Sequence, residues 1–298
     1  MKIDSAVIRA LSLEPAKTAM KSHGGSGFTS TAKISTTLKD GTEKHFFMKS
    51  NRGEDAEVMF KGEHASLNAI HDAVPSLCPA SFAEGVLEDE SGAFLVTDFL
   101  DMSGRSSEGS SGKGSGMSLA EKLAKLHTTP APIPEGFPKP VFGFDCATCC
   151  GDTEQPNDYS ESWADFYAKN RLLAILKKSE RTNGKDASLR SLVEKTVTET
   201  VPRLIGDGHL NNGKGVTPVV VHGDLWSGNN GRGVIGGHGA VEDVVFDPSA
   251  CYAHNEYELG IMQMFGGFGG SFMREYHQLC PKTEPVDEYG DRIRLYEL

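Results

Sequence analysis

Apolar and polar positions alternate in the first third of the chain in a way that predicts β-strands followed by one helix. Two runs rich in strand-forming residues, 31–38 and 45–49, flank an Asp-Gly pair, which is typical of a tight hairpin turn. In residues 55–71 the apolar side chains recur at intervals of three and four, which predicts an amphipathic helix. The continuous apolar run at residues 93–97 predicts a further, buried strand.

The pattern changes at residues 103–118, a stretch rich in Gly and Ser without an apolar period, which we expect to be a flexible connector. Beyond it, the apolar spacing predicts mostly helices, interrupted by two short strands. The helices fall at residues 119–127, 163–177 and 189–201, and the strands at residues 219–221 and 244–246. We therefore expect an α+β fold with a small β-rich lobe at residues 1–102 and a larger, mostly helical lobe at residues 103–298.

The charge balance limits the classes of partner. The 298 residues include 30 Lys and Arg against 41 Asp and Glu, which gives a formal net charge of −11. No basic stripe interrupts this acidic background, so binding to nucleic acid through phosphate neutralisation is not expected. We expect a partner that is small or cationic.

The cysteines and the apolar runs bear on the cellular compartment. Six cysteines in a chain of this length are too few for a disulfide scaffold. No apolar run approaches the roughly 20 residues that span a bilayer. Asp4 and Arg9 also interrupt the segment where a signal peptide would have its apolar core. These features predict a cytoplasmic protein without a membrane partner, and they leave the oligomeric state open.

The strongest chemical signal lies at residues 221–229, where a short strand ends in Val-His-Gly-Asp-Leu-Trp-Ser-Gly-Asn. His222, Asp224 and Asn229 have the H-x-D-x-x-x-x-N spacing of kinase catalytic loops. In that pattern the Asp accepts a proton from an attacking hydroxyl group, and the Asn offers a carbonyl oxygen to Mg²⁺. Asp247 follows the next apolar strand, so across a hairpin it would hold Mg²⁺ on the nucleotide phosphates. A single loop Asp is more often a turn or a helix cap, but three residues in this order favour catalysis.

A second signal comes from the β-rich part of the chain. Glu63 falls on the apolar face of the helix predicted at residues 55–71, where a carboxylate needs a cation. Lys49, at the end of the strand predicted at residues 45–49, is the candidate. A strand Lys paired with a helix Glu positions the α- and β-phosphates in kinases. An ordinary structural salt bridge is the alternative interpretation of this pair.

Two further motifs are weaker signals. A Gly-rich segment before the first predicted strand could cover phosphates with its backbone N–H groups, although a plain hairpin turn explains it equally well. Its candidate residues are Gly24, Gly25, Ser26 and Gly27. A C-x-x-C-C cluster is formed by Cys146, Cys149 and Cys150. No second pair of zinc ligands lies at the required spacing, so zinc is not expected there.

These residues resemble a known family. The sequence His-Gly-Asp-Leu-Trp-Ser-Gly-Asn at residues 222–229 is similar to the signature of the fructosamine/ketosamine-3-kinases (protein-ribulosamine 3-kinases), relatives of aminoglycoside and choline kinases. Further family landmarks follow in order along the chain. They include Phe142-Gly143-Phe144, Trp163, Arg171, Glu256 and Phe265-Gly266-Gly267-Phe268. The Trp after Asp-Leu separates this signature from the wider kinase-like set.

The resemblance implies a protein-kinase-like fold and ATP-dependent phosphorylation of the 3-hydroxyl group of ketosamines, which are sugar adducts on protein amines. The phosphorylated adduct is unstable, and its loss repairs glycation. The implied substrates are glycated proteins or free ketosamines, with ATP and Mg²⁺ as cofactors. Carried over to this chain, the resemblance makes Asp224 the base, Asn229 and Asp247 the Mg²⁺ ligands, and Lys49 with Glu63 the phosphate-positioning pair.

The resemblance also implies contacts with the acceptor and with adenine. Trp226 becomes the wall against which the sugar stacks. His222 is placed beside it in the substrate site, although the sequence also favours a bracing role for this residue. Adenine is expected to contact the backbone groups of Thr97, Asp98, Phe99 and Leu100.

Two departures and two alternatives accompany the resemblance. Gly27 stands where many relatives carry Cys, so a redox switch through that position is not expected, and relatives continue through another helix beyond residue 298.

A small-molecule kinase of the aminoglycoside or choline type would share the phosphate-handling residues and differ in its acceptor pocket. A non-catalytic nucleotide-binding scaffold would normally lack Lys49, Asp224 or Asp247, and all three are present.

Overall fold

The computed structural model describes residues 2–25, 29–102, 115–237 and 239–298. Its strands are β1 (Thr18–Gly25), β2 (Ser30–Thr37), β3 (Glu43–Asn51), β4 (Ser81–Val86), β5 (Ala93–Asp98), β6 (Leu100–Asp101), β7 (Thr148–Cys150), β8 (Thr153–Gln155), β9 (Val219–Val221), β10 (Asn230–Ile235), β11 (Glu242–Val245) and β12 (Cys251–Ala253). Its α-helices are α1 (Ser5–Ala10), α2 (Ala56–Ala73), α3 (Leu119–Thr128), α4 (Trp163–Tyr167), α5 (Ala174–Asn183), α6 (Ala187–Lys195), α7 (Val201–Ile205), α8 (Asn255–Phe265), α9 (Gly270–Leu279) and α10 (Tyr289–Tyr296). Two π-helical segments, Ala168–Leu173 and Thr196–Thr200, continue α4 into α5 and α6 into α7.

The chain divides into two compact units. One comprises Met1–Lys122 with Asn229–Asp247, and the other comprises Leu123–Gly228 with Pro248–Leu298. The hairpin of β10 and β11 therefore belongs with the N-terminal part of the chain. The division into lobes at residues 102 and 103 stays a prediction, and residues 103–114 of the expected connector lie outside the described part.

An antiparallel sheet in the order β1-β2-β3-β5-β4 forms the centre of the first unit. Alternation along β3 places Phe46 and Met48 on one face, where they are buried with Ile34 and Val96. The same alternation turns the neighbouring Lys49 to the other face, which α2 covers through its contacts with β4 and β5. The period of the strand thus decides which side chain of β3 reaches the helix.

The predicted elements of this unit are largely confirmed. The β2–β3 hairpin, helix α2 and strand β5 lie where the apolar pattern placed them. The sequence missed β1, because its side chains are mostly exposed and carry no apolar alternation. Gly24 and Gly25 are consequently the end of a strand instead of a segment that precedes the first one. Strand β10 was missed because glycines at positions 231 and 233 interrupt its apolar pattern.

The second unit is mostly helical, which confirms the predicted α+β class. The indole of Trp163 lies in its core, where it packs against the rings of Phe166, Tyr167 and Tyr257. Its Nε1–H donates a hydrogen bond to the Tyr296 hydroxyl at 2.7 Å. Two small antiparallel pairs, β9 with β12 and β7 with β8, supply the strands of this unit.

Within the described residues, no helix has both the length and the apolar character needed to cross a bilayer. The cytoplasmic location stays a prediction.

Candidate active site

The side chains of Lys49 and Glu63 form the predicted ion pair in the first unit. Lys49 Nζ lies 2.6 Å from Glu63 Oε1 and 2.7 Å from Asp247 Oδ1, so one ammonium group joins β3, α2 and the end of the β10–β11 hairpin. Burial alone would lower the pKa of Lys49, but the negative charges of Glu63 and Asp247 outweigh it and raise that pKa. The ammonium group therefore stays charged at neutral pH.

Asn229 and Asp247 flank the open end of the β10–β11 hairpin. Asn230 pairs with Val245 in the ladder, and Phe246 N–H donates to the Asn229 carbonyl at 3.1 Å. Asp247 has a φ of 58°, in the left-handed region that few residues other than glycine adopt. Such strain is concentrated at functional sites. One carboxylate and one amide side chain are thereby brought to neighbouring positions, and both carry hard oxygen donors suited to Mg²⁺.

The Gly-rich segment is described only in part. Gly24 has a φ of 78°, which suits glycine, and Thr31 Oγ1 donates to the neighbouring His23 carbonyl at 2.7 Å. Ser26 and Gly27 lie outside the described residues, so their expected phosphate contacts stay predictions.

The segment expected to contact adenine leaves β5 and enters β6. Phe99 N–H donates to His45 O at 3.4 Å, and Phe99 O accepts from Gly236 N–H at 2.9 Å. Asp98 N–H donates to Ala80 O, and Asp98 O accepts from the hydroxyl of Thr97. Several of the backbone groups expected to bind adenine therefore form hydrogen bonds within the protein. In Phe99, both the N–H group and the carbonyl do so.

A buried carboxylate holds the start of the catalytic loop in the second unit. Glu258 of α8 accepts hydrogen bonds from the backbone N–H groups of His222 and Gly223, the second at 3.1 Å. Burial would raise the pKa of Glu258, but interactions with His127 and His222 lower it, so the group is ionised at neutral pH. Gly223 has a φ of 80°, and a Cβ at this position would overlap the carbonyl oxygen of Ser249. Only glycine fits between Glu258 and Ser249.

The ring of His222 has no exposed surface. Its Nδ1 accepts a hydrogen bond from Asp224 N–H at 3.3 Å, and its carbonyl accepts from Ser249 N–H at 2.9 Å. The expected place of His222 in the substrate site stays a prediction, while its burial favours the bracing role. Its contacts are those of a brace for the loop.

Asp224 lies two residues after His222 and is partly exposed. The thiol of Cys150, on β7, lies 3.5 Å from Asp224 Oδ1. Burial, with the charge of Asp224 and the hydrogen bond to it, raises the pKa of Cys150 to about 12. The thiol is therefore protonated at neutral pH and donates to the carboxylate.

Trp226 presents an exposed aromatic surface two residues after Asp224. The residue is 38% exposed, and a Cβ on Gly228 would overlap its indole. The ring of Phe265 lies beside it at a centroid distance of 5.9 Å and is itself 59% exposed. Large exposed aromatic rings in pairs are typical of binding surfaces.

Three residues of this arrangement escaped the sequence reasoning. Glu258 is an acid inside a helix that belongs to no recognised motif, and Phe265 was named only as part of a family landmark, without an expected contact to Trp226. Cys150 was considered only as part of a zinc cluster. Among the described residues, no group of three or more His, Cys, Asp and Glu side chains is arranged to hold a metal ion.

Comparison with known proteins finds relatives over most of the chain. The model of the family described as fructosamine kinase matches residues 5–298. A ketosamine-3-kinase from Mus musculus is 32% identical over 297 residues, covering 93% of this chain and 85% of the relative. A chloroplastic protein-ribulosamine 3-kinase from Oryza sativa subsp. indica is 31% identical over 252 residues, covering 84% of this chain and 65% of the relative.

A solved structure supports the same fold. The crystal structure of a fructosamine-3-kinase candidate from Haemophilus somnus 129PT superposes with a TM-score of 0.70 at 20% identity, and the match covers 99% of this chain and 86% of that one. The kinase-like fold expected from the sequence is confirmed by this match. Since the family model, the curated relatives and the fold agree over nearly the whole length, the chain belongs to the fructosamine kinase family.

Proposed function

We propose that the protein is an ATP-dependent kinase that phosphorylates the 3-hydroxyl group of ketosamines, ribulosamine or fructosamine adducts on amines, and thereby leads to deglycation. Membership of a kinase family implies the use of ATP. The names of the relatives support the ketosamine as acceptor. The observation that carries the proposal is the Lys49, Glu63 and Asp247 cluster together with Asp224, within a chain of this family.

We assign the nucleotide phosphates to the first unit. Lys49, oriented by Glu63, would bind the α- and β-phosphates, and Gly24 and Gly25 would cover the phosphates with backbone N–H groups. We assign adenine to the backbone of the segment from Thr97 to Leu100, which leaves β5 and enters β6.

We assign Mg²⁺ to the Asn229 side-chain oxygen and the Asp247 carboxylate, because both are hard donors at neighbouring positions of one hairpin. When bound, the ion would neutralise phosphate charge as it builds up during transfer. Asp247 would hold the ion through a carboxylate that Lys49 already orients.

We assign the acceptor to the second unit. The Asp224 carboxylate would take the proton of the 3-hydroxyl group as its oxygen bonds to the γ-phosphorus and the bond to ADP breaks. The exposed face of Trp226, with Phe265 beside it, would stack against the sugar. The amine carrier, a glycated protein or a free amino acid, would extend away from this ring pair.

The first test is ATP consumption by the purified protein with ribulose-lysine, fructose-lysine, choline and an aminoglycoside in parallel. Asp224→Asn serves as the blank, because the amide keeps the shape of the side chain and cannot accept the proton. A general base contributes typically 10²–10⁴-fold to the rate, so the variant is expected to lose turnover by that order while it still binds ATP. Turnover on either ketosamine supports the proposal and ranks the two sugars. Turnover confined to choline or the aminoglycoside, or ATP binding without turnover on any acceptor, would refute it.

A further inference from the structure

The thiol of Cys150 and the carboxylate of Asp224 are brought together by a small hairpin that belongs to no phosphate-binding element. Cys150 ends β7, and its hairpin with β8 pairs Thr148 with Gln155 and Cys150 with Thr153. The Sγ atom lies 3.5 Å from Asp224 Oδ1, a length suited to a sulfur donor, across 74 residues of sequence. This contact lies wholly within the second unit.

The hairpin is held by hydrogen bonds on both sides. Asn157 Nδ2 donates to Cys146 O at 2.9 Å and to Thr148 Oγ1 at 3.0 Å. On the other side, Lys178 Nζ donates to Asp152 O at 2.8 Å, so the turn after Cys150 is tied to α5. A thiol on such a framework has a fixed position from which to orient the Asp224 carboxylate.

A carboxylate with two rotatable bonds populates several orientations unless a donor fixes one of them. Because the thiol is protonated, it offers such a donor to Oδ1 of Asp224. We propose that Cys150 is a positioning residue for phosphoryl transfer, whose S–H group holds the Asp224 carboxylate in the orientation that accepts the proton of the acceptor hydroxyl. This inference rests on the proposed role of Asp224 as the base.

The test compares Cys150→Ala with Cys149→Ala. Cys149 is the preceding residue of the same strand, and successive side chains of a strand point to opposite faces, so it is a matched control. Cys150 also borders a cavity of about 240 Å³. Its truncation to Ala therefore enlarges existing space, and the fold is expected to survive. Thermal unfolding of both variants checks this point.

In Cys150→Ala we expect kcat on the preferred ketosamine to fall by about fivefold to tenfold, while the dissociation constant of ATP stays unchanged. Cys150→Ser keeps a hydroxyl donor on a shorter arm, so its kcat is expected to lie between those of the wild type and of Cys150→Ala. Cys149→Ala is expected to keep the wild-type rate.

A double-mutant cycle separates positioning from a general structural effect. In an Asp224→Asn background no base remains to be oriented, so adding Cys150→Ala is expected to cost nothing further, measured by transfer of labelled phosphate. An equal loss in both backgrounds, or a Cys150→Ala variant as active as Cys149→Ala, would overturn the inference. Full turnover in Asp224→Asn alone would instead overturn the assignment of the base, which keeps the two failures distinct.

Discussion

At the scale of single residues, Asp247 combines two features that seldom occur together. Its backbone lies in the left-handed region at a φ of 58°, and its carboxylate bonds to Lys49 at 2.7 Å although the side chain is 52% exposed. Because the side chain is half exposed, the carboxylate can still bind a cation from solvent while it contacts Lys49. The residue type matters as much as the charge, because Asn and Asp tolerate this backbone better than other side chains.

The Asp247→Asn variant separates the charge from the backbone. Because Asn also accepts a positive φ, the fold is expected to persist, while the loss of one charged oxygen ligand weakens Mg²⁺-dependent ATP binding by at least about tenfold. Calorimetry with and without Mg²⁺ measures this difference. Asp243→Asn on the same hairpin, whose carboxylate pairs with Arg232, is the control. Unchanged affinity with Mg²⁺ present would contradict the assignment.

At the scale of elements, the Lys49 ammonium joins strand β3 to helix α2. Lys49 and Glu63 are each only 12% exposed at their side chains, so their charges are largely removed from water. Burial raises the pKa of Glu63, and the charge of Asp247 adds to this rise against the opposing effect of Lys49. Glu63 therefore depends on Lys49 for its ionised form, whereas Lys49 has a second partner in Asp247.

This asymmetry predicts unequal effects of breaking the pair. Lys49→Met leaves two neighbouring carboxylates without their cation and is expected to reduce the free energy of unfolding by about 3 kcal/mol or more. Glu63→Gln leaves Lys49 paired with Asp247 and is expected to cost about 1 kcal/mol. Urea unfolding of both variants measures the difference. Equal losses would show that Asp247 does not stabilise the ammonium group.

Local apolar patterns predict some of the helices and strands but not their irregularities. Strands β2 and β3, helix α2 and strand β9 were predictable, because their apolar periods are regular over several residues. The helix predicted at residues 163–177 is present, but its π-helical turns at Ala168–Leu173 were not foreseen. They place Asn170 and Arg171 in the buried interior, where Arg171 bonds to Asn157 at 2.9 Å. A local period carries no information on such long-range hydrogen bonds.

At the scale of the whole molecule, the net charge of −11 favours cationic acceptors. A net negative field attracts positively charged substrates and is screened by salt, with a Debye length of about 10 Å at 0.1 M. Lysine-rich peptides that carry a ketosamine have the complementary sign.

We therefore expect kcat/KM for a ketosamine on a lysine-rich peptide to fall severalfold between about 0.05 M and about 0.5 M salt. The same adduct on a glutamate-rich peptide is the matched control, and its kcat/KM is expected to stay constant or rise. Parallel salt series with labelled phosphate measure both. Identical salt dependence for the two peptides would show that the overall charge does not select the acceptor.

The sequence by itself determined the chemistry available and its order along the chain. The loop at residues 222–229, the acid at position 247 and the pair of Lys49 with Glu63 follow from spacing, since strand and helix periods are local properties. The tertiary structure decided which groups meet. Lys49 reaches Asp247 across 198 residues, and Cys150 reaches Asp224 across 74.

The burial of His222 and the hydrogen bond from its backbone N–H group to Glu258 were decided in the same way. These contacts depend on sheet register, hairpin closure and helix packing, which arise from the whole fold. A periodic pattern specifies which face of an element is apolar, but it does not specify which distant element covers that face.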